Sequence, residues 1–122
     1  MVISNSELKV LEVIWENGDC KASDIAKILE KKCGWAFNTT YTVIKRAINK
    51  GFIKRTDPGF ICSKLISREE VQNHSIEEVR EKYFNNSNIN FIKTLISQCE
   101  LSDNDIDEIY SVIHKESRAK KS

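Results

Sequence analysis

Apolar positions recur at helical spacing from the start of the chain. Leu8, Leu11, Ile14 and Trp15 predict a first helix, capped by Ser6 and ended at Asn17-Gly18, residues that tolerate a left-handed stop. Ala22, Ile25, Ala26 and Leu29 predict a second helix that ends near Cys33-Gly34. Thr40, Val43, Ile44, Ala47 and Ile48 form the i, i+3, i+4, i+7, i+8 stripe of a third, running roughly from Asn38 to Lys50 and ended by Gly51. Two short segments of mixed apolar and basic residues then flank Asp57-Pro58-Gly59. Pro sets φ for a tight turn and Gly takes the positive φ that follows, so a hairpin is expected. Helix, helix, helix, hairpin is the order of a winged helix-turn-helix.

The rest of the chain is patterned as helix throughout. Ser67-Arg68-Glu69-Glu70 reads as a capping box opening a helix that uses Val71, Ile76, Val79 and Tyr83. A polar break at Asn85 to Asn88 precedes a short helix carrying Phe91, Ile92, Leu95 and Ile96. Ser102-Asp103-Asn104-Asp105 caps a last helix with Ile106, Ile109, Tyr110 and Ile113. The expected fold is therefore mainly α. A winged helix-turn-helix with a short β-hairpin wing occupies 1–66, a helical dimerisation region 67–116, and a flexible basic tail 117–122.

Three separated helices with narrow stripes cannot enclose a core of their own, and the winged helix already has one. Packing back onto the winged domain in a monomer is one solution. A second copy of the chain is the more economical one, because intertwined helices would bury all the stripes together. The expected homodimer interface comprises Val79, Tyr83, Phe91, Ile92, Leu95, Ile96, Ile106, Ile109, Tyr110 and Ile113.

Composition narrows the function classes. No apolar run exceeds three residues, and the opening MVISNSELKVLEVIW lacks a secretory pattern, so membrane insertion is excluded and a cytoplasmic location is expected. The four cysteines (Cys20, Cys33, Cys62, Cys99) form no C-x-x-C pair. Neither a disulfide framework nor a structural zinc site has that spacing, so reduced, partly buried thiols and no metal or cofactor are expected. His74 and His114 fall on separate helices, and neither a Gly-rich phosphate loop nor H-E-x-x-H occurs, which argues against an enzyme. Charge is asymmetric. Residues 1–66 carry 11 Lys and Arg against 7 Asp and Glu, a net of +4, whereas residues 67–122 carry 8 against 11, a net of −3. A basic front half points to nucleic acid.

That reading gives the outer face of the third helix a task. Asn38, Thr42, Lys45, Arg46 and Asn49 supply hydrogen-bonding groups with no carboxylate among them. In a helix-turn-helix the second helix of the pair enters the major groove. There Asn bonds adenine, Arg or Lys bonds guanine, and a Thr methyl meets the thymine methyl. Lys45 and Arg46 equally suit phosphates, and Lys50, Lys54 and Arg55 suit the neighbouring backbone or minor groove. Taken alone, such a face also describes an ordinary solvated helix.

Three segments in register change the weighting. Trp35, Thr39, Thr42 and Arg46 followed by Lys50-Gly51-Phe52-Ile53 make W-x-x-x-T-x-x-T-x-x-x-R and K-G-F-I. This resembles the recognition helix of the penicillinase-repressor family, the BlaI/MecI type. Upstream, ISNSELKVLEVIWENG resembles that family's opening, and downstream LSDNDIDEI resembles its later segment. The resemblance covers all but the tail. It implies a homodimeric winged-helix repressor binding a palindromic double-stranded operator before β-lactamase or penicillin-resistance genes, and it adds Thr39 and Tyr41 to the DNA-facing set. Departures occur: staphylococcal members carry Lys and Arg where this chain has Asn38 and Tyr41, and the hairpin is two residues shorter at Asp57-Pro58-Gly59.

The resemblance also implies a route of release. A membrane-bound metalloprotease sensor triggers cleavage of the family's dimerisation region, typically at an Asn-Phe bond. Alignment on LSDND puts that bond at Thr94-Leu95, while an Asn90-Phe91 pair lies one helical turn earlier, so the segment 90–95 is the expected site. The paired-cysteine metal site of copper-responsive cousins is not matched, since only Cys99 lies near its place. Three alternatives stand beside this: a winged-helix regulator of unrelated genes with another inducer, a DNA-binding sensor with its own small ligand, and a winged helix that binds protein.

Overall fold

A reciprocal cap starts the chain's first helix. In the computed structural model, which describes the backbone of residues 2–121 and the side chains of 2–116, Ser4 Oγ accepts from the Glu7 N–H at 3.2 Å and Glu7 Oε1 accepts from the Ser4 N–H at 2.9 Å. Helix α1 therefore begins at Asn5 and runs to Asn17, and the cap is Ser4 in place of the expected Ser6. The reason is the third residue on: Glu7 can reach back to accept, whereas Lys9, three after Ser6, cannot. Gly18, at φ +79°, ends the helix.

The order that follows is β1 Cys20–Lys21, α2 Ala22–Cys33, α3 Phe37–Asn49, β2 Ile53–Thr56, β3 Ile61–Lys64, α4 Arg68–Phe84, α5 Asn88–Gln98 and α6 Asp103–Lys121. The wing is a three-stranded antiparallel sheet in the order β1-β3-β2, not a hairpin alone. Cys20 faces Cys62 and Lys21 faces Ile61, while Ile53 pairs with Lys64 and Thr56 with Ile61. A two-residue strand has no periodicity to detect, which is why the pattern of side chains missed β1.

The core lies where α1, α2 and α3 meet the sheet. Val10, Leu11, Val13 and Ile14 of α1, Ile25 and Leu29 of α2, Val43, Ile44 and Ala47 of α3, and Phe52, Ile53, Cys62 and Ile66 are buried together. Burying each larger side chain is worth about 1.5–3 kcal/mol. The stripe of α1 is rotated from expectation, because Val10 and Val13 are inside while Leu8 and Trp15 are only half-buried. Leu8 and Trp15 instead line a groove with Arg68, Val71 and Ile76 at the start of α4. There the Trp15 indole Nε1 donates to the Ile66 carbonyl at 3.0 Å.

The chain divides into two compact units, 1–76 and 77–122, with α4 contributing to both. The helices of the second part start and stop as their caps dictate. Ser67 and Glu70 exchange bonds of 3.0 and 3.3 Å at α4, and Ser102 and Asp105 exchange two of 3.1 Å at α6. Asn85 and Asn86, at φ +48° and +63°, break α4 from α5. Neither α4 nor α5 buries a single residue. Between α5 and α6 lies an apolar groove of about 320 Å³ lined by Ile96, Leu101, Ile106, Ile109, Tyr110 and Ile113. The expected fraying of the tail, 117–122, falls outside the residues whose side chains are described.

Candidate nucleic-acid interface

Helix α3 is anchored by its inner stripe and leaves the opposite face open. Thr40, Val43, Ile44 and Ala47 are buried, while Asn38, Thr39, Thr42, Lys45, Arg46, Asn49 and Lys50 are exposed. Thr42 Oγ1 donates back to the Asn38 carbonyl at 2.8 Å, so its methyl is the group left for an apolar contact. The N-cap residue, Ala36, offers no side-chain cap, and the first turn from Phe37 holds no acid. Such an N-terminus presents backbone N–H groups and a positive dipole end, which suits a phosphate.

Tyr41 points elsewhere. It is half-buried, with its ring edge-on to Phe60 of the wing at 5.8 Å between centroids. The Arg55 guanidinium covers the same Phe60 ring at 3.6 Å, and its Nε donates to Asp57 at 3.0 and 3.2 Å. A chain of contacts from α3 through Tyr41 and Phe60 to Arg55 thus ties the wing tip to the helix. Among the described residues Lys45 and Lys54 make no ion pair, so their charges face solvent undiminished.

Arg46 and Lys50 are different, because both lean on Glu7. The Lys50 ammonium lies 2.8 Å from Glu7 Oε1, and Arg46 Nε lies 3.5 Å from Glu7 Oε2. Arg46 Nη2 also donates to Ser4 Oγ at 3.2 Å, and Lys50 Nζ to the Val2 carbonyl at 3.4 Å. Glu7 is fully buried. Burial raises its pKa, but the Lys50 ammonium and the Ser4 N–H and hydroxyl outweigh that and bring it from the ordinary 4.5 to about 2. Sequence reasoning missed Glu7, since periodicity sends charges outward. Two signals were present: the Ser4-x-x-Glu7 box, and a carboxylate three and four residues before the buried Val10 and Leu11.

In the second unit Val79, Tyr83, Ile92, Leu95, Ile96, Ile106, Tyr110 and Ile113 are exposed, Tyr83 by 68% and Tyr110 by 61%, while Phe91 and Ile109 are half-buried. Phe91 packs on Phe84 at 5.1 Å. Asn90, Phe91, Thr94 and Leu95 all lie within α5, where Thr94 Oγ1 donates to the Asn90 carbonyl at 2.8 Å. The cysteines are free thiols. Burial pushes Cys62 up to about 11 and raises Cys20 as well, so neither forms a thiolate readily. Among the described residues no cluster of His, Cys, Asp and Glu could hold a metal, and no helix is long and apolar enough to cross a membrane.

Comparison with known proteins agrees with this geometry. The sequence model of the family described as "Penicillinase repressor" matches residues 3–115. The penicillinase repressor of Bacillus licheniformis is 27% identical over 124 residues, covering 98% of this chain and 94% of that one. The methicillin resistance regulatory protein MecI of Staphylococcus aureus is 23% identical, over 93% of this chain and 94% of its own. The solution structure of Bacillus licheniformis BlaI, monomeric and in complex with the blaP half-operator, superposes with a TM-score of 0.52 at 29% identity. That match covers 57% of this chain and 88% of that one. With its winged helix and its match over nearly the whole length, the chain belongs to the penicillinase repressor family of DNA-binding transcriptional repressors, the BlaI/MecI type.

Proposed function

We propose that this chain is a homodimeric repressor of β-lactamase or penicillin-resistance type genes that reads a palindromic operator, one α3 helix to each half-site. The observation that carries this is the exposed, acid-free and uncapped face of α3, set beside a wing that bears Lys54 and Arg55. Asn38, Thr39, Thr42, Arg46 and Asn49 face the groove, Lys45, Lys54 and Arg55 lie beside the backbone, and Lys50 sits next to them, held against Glu7. Tyr41 acts through the wing tip that it braces. The BlaI relative was solved as a monomeric form on a half-operator. A pair of chains then reads two half-sites about one helical turn, or a multiple of it, apart.

The second unit supplies the pairing surface. Its exposed Val79, Tyr83, Ile92, Leu95, Ile96, Tyr110 and Ile113, with Phe91, Ile106 and Ile109, would be buried by a second copy. Release follows when a membrane-bound metalloprotease sensor triggers cleavage within 90–95. A cut there separates α6 from the winged helix and dismantles the α5–α6 groove. Each winged helix then binds alone, without the gain from a linked second site. Hydroxyl-radical footprinting of the DNA upstream of the chain's own coding sequence tests the dimer reading. Two symmetric protected patches are expected, and a single patch would contradict it. Mass spectrometry of the repressor recovered from induced cells tests the release step. Fragments ending at Asn90 or Thr94 are expected, whereas an intact chain in fully induced cells would overturn it.

A further inference from the structure

Among the described residues Glu7 is the one carboxylate buried in the first unit's core, and it meets Arg46 and Lys50 at the C-terminal end of the proposed reading helix. Its Oε1 is occupied by Lys50 at 2.8 Å and the Ser4 N–H at 2.9 Å. Its Oε2 is buried with no hydrogen-bond partner, and Arg46 Nε stands 3.5 Å away. The guanidinium thus holds Nε in an ion pair with Glu7, without a hydrogen bond, and donates from Nη2 to Ser4, while its side chain stays 44% exposed. Lys50 commits its ammonium to Glu7 and Val2.

We infer that Glu7 is a specificity-determining positioning residue for DNA reading: it fixes Arg46 for a directed contact and withholds Lys50 from indiscriminate phosphate binding. This rests on the proposal that α3 reads DNA. The physical basis is the split between two kinds of contact. A free Lys or Arg on a DNA-facing surface neutralises any phosphate it meets, and each such contact steepens the salt dependence by about 0.9 in log–log slope without discriminating sequence. A cation held by a buried carboxylate adds little to that term. An arginine whose rotamer is already set loses less freedom when its remaining donors meet a base.

The test is fluorescence anisotropy of the full chain and of Glu7→Gln. The probes are a duplex from immediately upstream of the chain's own coding sequence and a scrambled duplex of the same length, over a salt series. In Glu7→Gln, binding to the scrambled duplex should tighten and its salt slope steepen by about 0.9 for each cation released. Discrimination between the duplexes should fall about tenfold, the scale of one misdirected base contact. Circular dichroism establishes that the variant is folded. Should it not be, Ser4→Ala removes one partner of Arg46 at the cost of a helix cap, and a two- to threefold loss of discrimination is expected, on the order of one weakened contact. A folded variant with wild-type discrimination and wild-type salt slope would overturn the inference and leave Glu7 a residue of the core alone. If the wild-type chain itself fails to distinguish the duplexes, the DNA-reading proposal fails and this inference fails with it.

Discussion

Glu7 lies at the foot of α3 with no solvent contact, and its charge makes the fold sensitive to acid. Its pKa is about 2 in the folded chain against an ordinary 4.5. The stabilisation is complete above 4.5 and is lost as pH falls through 4.5 towards 2, because the unfolded chain then binds the proton more readily. At 1.36 kcal/mol per unit this amounts to about 3 kcal/mol. Urea melts at pH 7 and pH 3 should show the midpoint falling further for the wild type than for Glu7→Gln, and equal falls would contradict the assignment. On the open face of α3 the side chains separate by role. Lys45→Ala should weaken both specific and scrambled duplexes alike and reduce the salt slope by about 0.9. Asn49→Ala should spare the slope and lose about 1–3 kcal/mol of discrimination, measured by competition titration.

Among the elements, α3 was the most legible in the sequence. Thirteen residues give several repeats of the helical period, and Thr40, Val43, Ile44 and Ala47 lie inside as their spacing requires. Shorter elements carry less information. Strand β1 has two residues and exists only because Cys20 and Lys21 meet Cys62 and Ile61 across the sheet, a tertiary pairing that no local pattern encodes. The face of α1 was misjudged for a related reason. Val10, Leu11, Val13 and Ile14 compete with Leu8 and Trp15 for the core, and only the position of α4 decides that the latter pair line its groove. The link from α3 to the wing was equally hidden, since it depends on Tyr41 and Phe60 meeting across 19 positions. Phe60→Ala removes both that contact and the seat of Arg55. About 1–2 kcal/mol of stability should be lost, read as a lower urea midpoint, and an unchanged midpoint would show that the wing tip is not braced in this way.

For the whole molecule, the first unit has a closed core and the second leaves its large apolar side chains in contact with solvent. Ile113→Asp, on the wall of the α5–α6 groove, should therefore halve the mass seen by sedimentation while leaving the melting of the first unit in place. A wild-type mass that is already monomeric would contradict the pairing surface. The central claim is that α3 reads DNA, and its most direct test is the anisotropy titration of the unmodified chain at two salt concentrations. The duplexes are the one upstream of its own coding sequence and a scrambled control. Tight binding to the first, lost on scrambling and weakened steeply by salt, is the predicted result. Equal and weak binding to both at either salt would contradict it.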